Sequence, residues 1–496
     1  MKKVIYSVFL MAGLLTSSCS EDYLDTVPTS DVTEADVLSS TENAYAALNG
    51  IHRMMYSQHN SRQNQGGEGT NKIFMDALGE DWVQTAQGNG WFNGEHNWTS
   101  HRNATSTTTY NHAWYYFYYR IIANANMLIN GLDNATGSEA EKEMVIGQAL
   151  VYRAWAHFQL VQAFGERYDA SKTNSQLGIP LALTNTTEGQ PRATVEEVYA
   201  QVNQDLDLAI TKLANAPARA EKSHFNVWVA KGVKARVALT MQNWASASSL
   251  AKEVIAGSGA SLMTQQEYLG GFNSVGNREW LWGSKMIPDQ TSYFYSFFAY
   301  MSSNYNSSYI RTNPRRINSL LYDKIAETDV RKKVWSPTGT GVTVPSGGVK
   351  PTYIQNKFRV ADTGSSIGDV PHMRLAEMYL IAAEADARRG EDALALGSLN
   401  TLLIARGAPA STKAGKDLID EILIQRRIEL WGEGFRFLDL KRTNSPLDRT
   451  GANHPATFAW AITTNNFVVP AGAKEWQFLF PQREIDTNKA IVQNPL

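Results

Sequence analysis

In two places along this 496-residue chain, stretches with apolar residues three and four apart are separated by only a few residues. Asn226 to Met241 gives way at Gln242 and Asn243 to a second helical stretch from Trp244, and Met373 to Arg388 turns at Gly390 into Asp392 to Ala405. Connections this short force the two helices to lie antiparallel and in contact. Ala245, Ala247, Ala251, Ala382, Ala385 and Ala395 are small enough to let them approach closely. This is the grammar of tetratricopeptide-like hairpins, without the full repeat signature or a strict period of about 34 residues. Helical periodicity recurs near 40–57, 109–132, 138–164, 194–214, 224–241, 244–256, 371–389, 391–406 and 416–432, whereas strand signals are weak and late. The expected fold is mainly α, with degenerate helix pairs packed against a loop-rich, partly irregular region and minor β-structure.

The N-terminus reads as a secretory signal. Lys2 and Lys3 precede a short apolar run, Val4 to Leu15, then Thr16, Ser17, Ser18 and the chain's single cysteine, Cys19. The run is too short to span a bilayer. Small residues ending at a cysteine are how a bacterial lipoprotein precursor reads, although Leu15 lies four rather than three residues before Cys19. Residues 1–18 are therefore expected to be removed, Cys19 to be lipidated, and 19–40 to form a flexible tether before one domain over 41–496, in two parts, 41–260 and 261–496. One cysteine allows no intrachain disulfide, so stability must come from packing. Loss of residues 1–18 takes two lysines from 46 basic groups against 48 acidic ones, leaving about −4, which does not favour nucleic acid.

Residues 58–108 and 270–312 are rich in Gly, Asn, Ser, Thr and aromatics, and 336–370 in Gly, Ser, Thr and Pro. Loops this long are functional or disordered, and aromatic content points to order. A flat indole or phenol can stack on the C–H face of a sugar ring while amides and guanidinium groups bond its hydroxyls. Trp82, Trp91, Asn97, Trp98 and Arg102 in the first loop, and Tyr293, Tyr295 and Tyr300 in the second, are the candidate ligand-binding residues. Core burial is the competing reading for each of them. The Trp114 to Tyr119 run opens a helix and reads as packing.

Catalytic signals are thin. There is no His-Glu-x-x-His and no phosphate-cradling Gly-rich Lys motif. Gly364-Ser365-Ser366-Ile367-Gly368 matches the nucleophile-elbow pattern, but Asp369, Val370 and Pro371 stand between it and the next helix, where an elbow needs a direct strand-to-helix turn. His52, His59, His96, His101 and His112 lack metal-ligand spacing and read as solvated or capping groups. No metal and no cofactor is expected. Arg427, Glu429, Glu433, Arg436, Asp439 and Arg442 place opposite charges three or four apart, a pattern expected to lock the chain rather than to bind.

The C-terminal half resembles the SusD/RagB family. The resemblance is carried by Arg374-Leu375-Ala376-Glu377-Met378-Tyr379-Leu380-Ile381-Ala382-Ala383-Glu384-Ala385, by Arg426-Arg427-Ile428-Glu429-Leu430 with Glu433-Gly434-Phe435-Arg436 and Asp439-Leu440-Lys441-Arg442, and by Phe480-Pro481-Gln482-Arg483-Glu484-Ile485 with Gln493-Asn494-Pro495. Upstream, Gln148 to Ala154, Phe164-Gly165, Gly178 to Leu181 and the Trp114, Tyr118, Asn124, Asn126 pattern are similar to the same family. The resemblance implies a SusD-like α-α superhelix of about four tetratricopeptide-like helix pairs. It also implies a non-catalytic lipoprotein on the outer membrane of Bacteroidetes-type bacteria, facing the cell surface. Such a protein would bind an oligosaccharide and deliver it to a SusC-like TonB-dependent transporter. A peptide-binding RagB-like protein and a helical scaffold that binds no small ligand are the alternatives.

Overall fold

In a computed structural model, residues 33–106, 109–288, 294–455 and 467–496 are described. The expected signal segment, Cys19 and Tyr293 lie outside these residues. The chain is already helical over Glu34–Val37, with Thr33 capping that turn, so the expected tether is ordered before residue 40.

Helix α1 (Thr41–Met54) is followed by α2 (Gly67–Ala77), α3 (Tyr110–Gly131), α4 (Glu139–Phe164), α5 (Val195–Leu213), α6 (Val227–Thr240) and α7 (Trp244–Gly257). After a long irregular stretch come α8 (Leu375–Arg388), α9 (Asp392–Ala405), α10 (Gly415–Glu429) and α11 (Arg436–Arg442). Polar caps set the starts: Ser138 and Thr194 each accept a bond from the backbone N–H three residues on, and Glu141 and Glu197 reach back in return. Helices α3 to α9 pack each on the next in chain order, with α1 against α3 and α4. The α6–α7 turn closes with Gln242 at φ 60 and the Asn243 side chain capping Ser246 N, while Gly390 at φ 78 ends α8. From Gly147 to Phe164, α4 is buried all round, and a Cβ on Gly147 would stand 2.8 Å from Leu213 of α5. That is how small residues let these axes approach.

Strands are short. β1 (Trp82–Val83), β3 (Arg316–Ile317), β5 (Ile354–Gln355) and β4 (Trp335–Ser336) form one antiparallel sheet in that spatial order, and β2 (Trp280–Ser284) pairs with β6 (Val370–Arg374). The β2 strand is buried along its whole length. The expected start of α8 at 371 is corrected, because 370–374 is strand.

A buried ionic cluster joins these parts. Glu429 accepts from Arg374 at 2.9 Å and from Arg406 at 2.9 and 3.1 Å, and Arg331 approaches it at 3.4 Å. Arg374 also binds Glu279 and Glu433, Arg406 binds Glu279, Arg331 binds Asp329 and Lys357 binds Glu433. Nearby, Arg442 forks onto Glu384 at 2.7 Å and Arg426 meets Asp439 at 2.8 Å. Burial alone would raise the carboxyl of Glu429, yet Arg406, Arg374 and Arg331 outweigh it and hold that group well below the usual range. The charge pattern at 427–442 is thus a framework that ties α8, α9, α10 and the strands together.

Candidate functional site

The first aromatic loop is anchored before it reaches solvent. At its base, Arg427 binds Asp81 at 2.6 and 3.0 Å, Arg436 binds Glu80 at 2.9 Å, and the buried Arg449 donates to the carbonyls of Ala77, Gly79 and His96. Beyond Gln84, Asn313 Oδ1 accepts from Thr85 N at 2.9 Å and Ala86 N at 3.1 Å. The tip, Gln87 to Gly90, is exposed, and Gly88 and Gly90 take positive φ there. Asn93 reaches back to the Gln87 carbonyl at 3.2 Å, folding the tip over.

Trp91 follows this tip and is half-buried. Its carbonyl accepts from Gln84 Nε2 at 3.3 Å and from the Tyr309 hydroxyl at 3.4 Å, so its backbone is held from two sides. Tyr309 lies on the short helix Ser308–Thr312, whose neighbours Asn306 and Thr312 are exposed and Arg311 half-exposed. The Trp91 side chain packs in part against the core and is in part open, and the segment that holds its carbonyl carries exposed amide and hydroxyl groups. Such a surface can stack on an apolar ring face and bond hydroxyl groups.

Most of the other candidates belong to the core. Trp82 is fully buried beneath the loop, its Nε1 donating to Met301 Sδ at 3.2 Å and the Arg315 guanidinium lying 4.2 Å from its ring. Trp98 is fully buried, edge-on to Trp476 at 4.8 Å, with Nε1 donating to the Leu78 carbonyl at 2.8 Å. Tyr300 is buried against Phe92 and Tyr309 and donates to the Gln63 carbonyl at 2.8 Å. None of these three offers a free ring face, so the expectation of ligand contact is corrected for them. Arg102 is also committed elsewhere, donating to the carbonyls of Gln477 at 2.7 Å, Lys474 at 3.1 Å and Pro495. Tyr295 is nearly buried beside Gly66, and Asn97 is half-buried at the end of the short helix Asn93–His96. Trp91 is the one tryptophan of its loop that reaches the surface.

The histidines are not solvated. His52, His59, His96, His101 and His112 are all buried, and burial pushes the His101 imidazole down to about 3. His52 faces the Tyr152 hydroxyl at 2.5 Å and His101 the Glu475 carbonyl at 2.9 Å. Among the described residues no group of three His, Cys, Asp or Glu side chains could hold a metal ion. Gly364 to Gly368 lies in an irregular loop that precedes β6, so Ser366 is before the strand and not at the β6-to-α8 turn where an elbow would sit.

Sequence reasoning missed an open cleft of about 390 Å³ between α3, the loop 180–190 and the helix Gln482–Thr487. Trp114, Tyr115, Phe117 and Tyr118 are buried as expected, but Tyr116 and Tyr119 are half-exposed and line this cleft. The signal was the aromatic run itself, which is too long for one buried face of a helix.

Serial helix pairs that present long, anchored loops define a helical-hairpin binding scaffold. The profile described as "Starch-binding associating with outer membrane" matches residues 22–239, and the SusD family profile matches residues 228–496. The chain belongs to the SusD/RagB family. A SusD-like protein of Bacteroides ovatus is 23% identical over 484 residues, spanning 87% of this chain and 81% of that protein. The crystal structure of a SusD-like carbohydrate binding protein from Bacteroides vulgatus superposes with a TM-score of 0.79 at 27% identity, covering 91% of this chain and 97% of that one. A laminarin binding SusD-like protein has the same fold, with a TM-score of 0.71 at 23% identity over 92% and 99% of the two chains. The mainly helical architecture of tetratricopeptide-like pairs is that of these relatives.

Proposed function

We propose that this protein is a non-catalytic, glycan-binding lipoprotein of the outer membrane, facing the cell surface. In this reading Cys19 carries the lipid, and the ligand passes to a SusC-like TonB-dependent transporter beneath. The observation that carries the binding role is Trp91, a half-exposed indole on a firmly based loop, beside a segment with exposed amide and hydroxyl groups. The relative described as carbohydrate binding supports the ligand class, and the outer-membrane description of the matching profile supports the location.

Isothermal titration against laminari-, malto-, xylo- and manno-oligosaccharides tests it. Trp91→Ala should weaken binding about tenfold, the loss of one aromatic contact worth ~1.4 kcal/mol, without changing the circular dichroism spectrum. Unchanged affinity in that variant removes the site. Binding of peptides in place of glycans would move the protein to the RagB-like reading, and binding of neither would leave a scaffold. Cys19→Ala should keep its affinity in solution and lose membrane attachment.

A further inference from the structure

The cleft beside α3 is formed by segments remote in sequence from the Trp91 loop, and its walls combine tyrosines with polar loop residues. Tyr115 and Tyr119 sit one turn apart on α3 with their rings 4.5 Å apart, and Tyr116 adjoins Tyr115 on the same opening. Across the opening runs an exposed loop carrying Thr184, Asn185, Thr187, Glu188 and Gln190. The volume, about 390 Å³, falls within the range of roughly 300–1,000 Å³ usual for small-ligand sites.

The loop is held in place without a ligand. Tyr119 donates to the Pro180 carbonyl at 2.7 Å, Asn126 to Ala182 at 3.0 Å and Asn185 to Ala123 at 3.1 Å. At its far end Asn488 donates to the Gln190 carbonyl at 2.8 Å, and a Cβ on Gly189 would stand 2.4 Å from Asn488 Oδ1. Preorganisation of this kind lowers the ordering cost of binding.

Charge narrows the ligand. Glu188 and Glu484 line the cleft and no lysine or arginine does. A glycan carrying uronate or sulfate would meet two carboxylates in the lining itself, while the nearest cations, Arg483 and Arg192, act on Tyr116 and Tyr119 without lining the cleft. Hydroxyls, amides and carboxylates facing phenol rings supply both donors and acceptors beside flat apolar surfaces.

We propose that this cleft is a second glycan site, separate from the Trp91 surface, and that it takes an uncharged oligosaccharide. Its ligand class rests on the glycan-binding reading above, but its position does not. The test is titration of the full chain with the same oligosaccharide panel and with oligogalacturonate, using Tyr116→Ala, Glu188→Ala and Trp91→Ala. For a neutral oligosaccharide the wild type should show two binding events. Tyr116→Ala or Glu188→Ala should remove one, Trp91→Ala the other, and oligogalacturonate should bind the cleft at least tenfold more weakly. Glu188 is exposed, so that variant tests the cleft with the fold intact. Loss of an event to the cleft variants alone, with Trp91→Ala silent, keeps the second site and removes the first. A single event abolished by Trp91→Ala, no binding by any neutral glycan, equal binding of oligogalacturonate, or a lysine-rich peptide taking the cleft instead would each overturn the proposal.

Discussion

Replacing Glu429 with Gln should cost this protein about 3–5 kcal/mol of stability, although the side chain keeps its shape. Arg331, Arg374, Arg406 and Lys357 face Asp329, Glu279, Glu429 and Glu433 in a cluster whose side chains are almost wholly shielded from solvent. The cluster is neutral as it stands. Glutamine leaves one guanidinium charge unopposed, and Arg374 and Arg406, both 2.9 Å away, lose one of the two carboxylates they share, Glu279 being the other. Unit charges 4 Å apart attract by about 4 kcal/mol at an effective dielectric of 20, and removing one buried partner forfeits attraction of that order. The measurement is a urea unfolding midpoint at unchanged m-value. Lys416→Ala is the control, because its partner Asp420 and the lysine are both largely solvated and such a pair is worth under about 0.5 kcal/mol. If the two substitutions shift the midpoint equally, the cluster does not hold the fold.

Glu433 should make the same cluster sensitive to acid. Burial would raise its carboxyl, but Arg374 and Lys357 hold it at about 2, so its contribution is complete above about pH 4.5 and is lost as pH falls towards 2. The loss is about 3 kcal/mol, and a urea midpoint that does not fall between pH 5 and pH 2.5 refutes it. Trp98→Ala should destabilise by roughly 3–5 kcal/mol as a core truncation, whereas Trp91→Ala should cost under about 1 kcal/mol; equal effects would undo the separation of core from surface. Gly434→Ala should cost at least ~1–3 kcal/mol, because Gly434 has φ +86 and a Cβ there would lie 2.8 Å from Lys72 Cα. A thermal melt matching wild type would contradict that strain.

The paired helices were legible because their signal is local. A three-residue turn between α6 and α7 and a glycine stop after α8 dictate neighbours without reference to the rest of the chain. Helix α2 was not legible, since all eleven of its residues are buried and no polar face marks its period. Its glycines also point the wrong way: Gly67 has positive φ against the Met54 and Met55 carbonyls, and Gly69 lets Phe297 approach to 3.1 Å of a Cβ position. The β6 strand was hidden for a similar reason, buried along its whole length and defined only by pairing with β2 far upstream.

For the proposed binding surface, the sequence named a loop but could not separate its members. Trp82, Trp91 and Trp98 share one Gly- and Asn-rich context, and nothing within that stretch separates them. Distant residues do so: Met301 and Arg315 cover Trp82, Trp476 and Phe437 cover Trp98, and the tip after Gln87 leaves Trp91 partly open. The charge pattern at 427–442 is part of the same division. Arg427 and Arg436 spend their charge on Asp81 and Glu80, at the root of this loop, and Arg449 holds the carbonyls on either side. Residues fixed by that framework cannot change without cost to the fold, and Gly88 and Gly90 are held by their positive φ, but Gln87 and Asn89 at the exposed tip carry no such load. On the proposed reading of Trp91 as the ligand site, specificity can therefore change at the tip while the root, and with it the position of Trp91, stays constant.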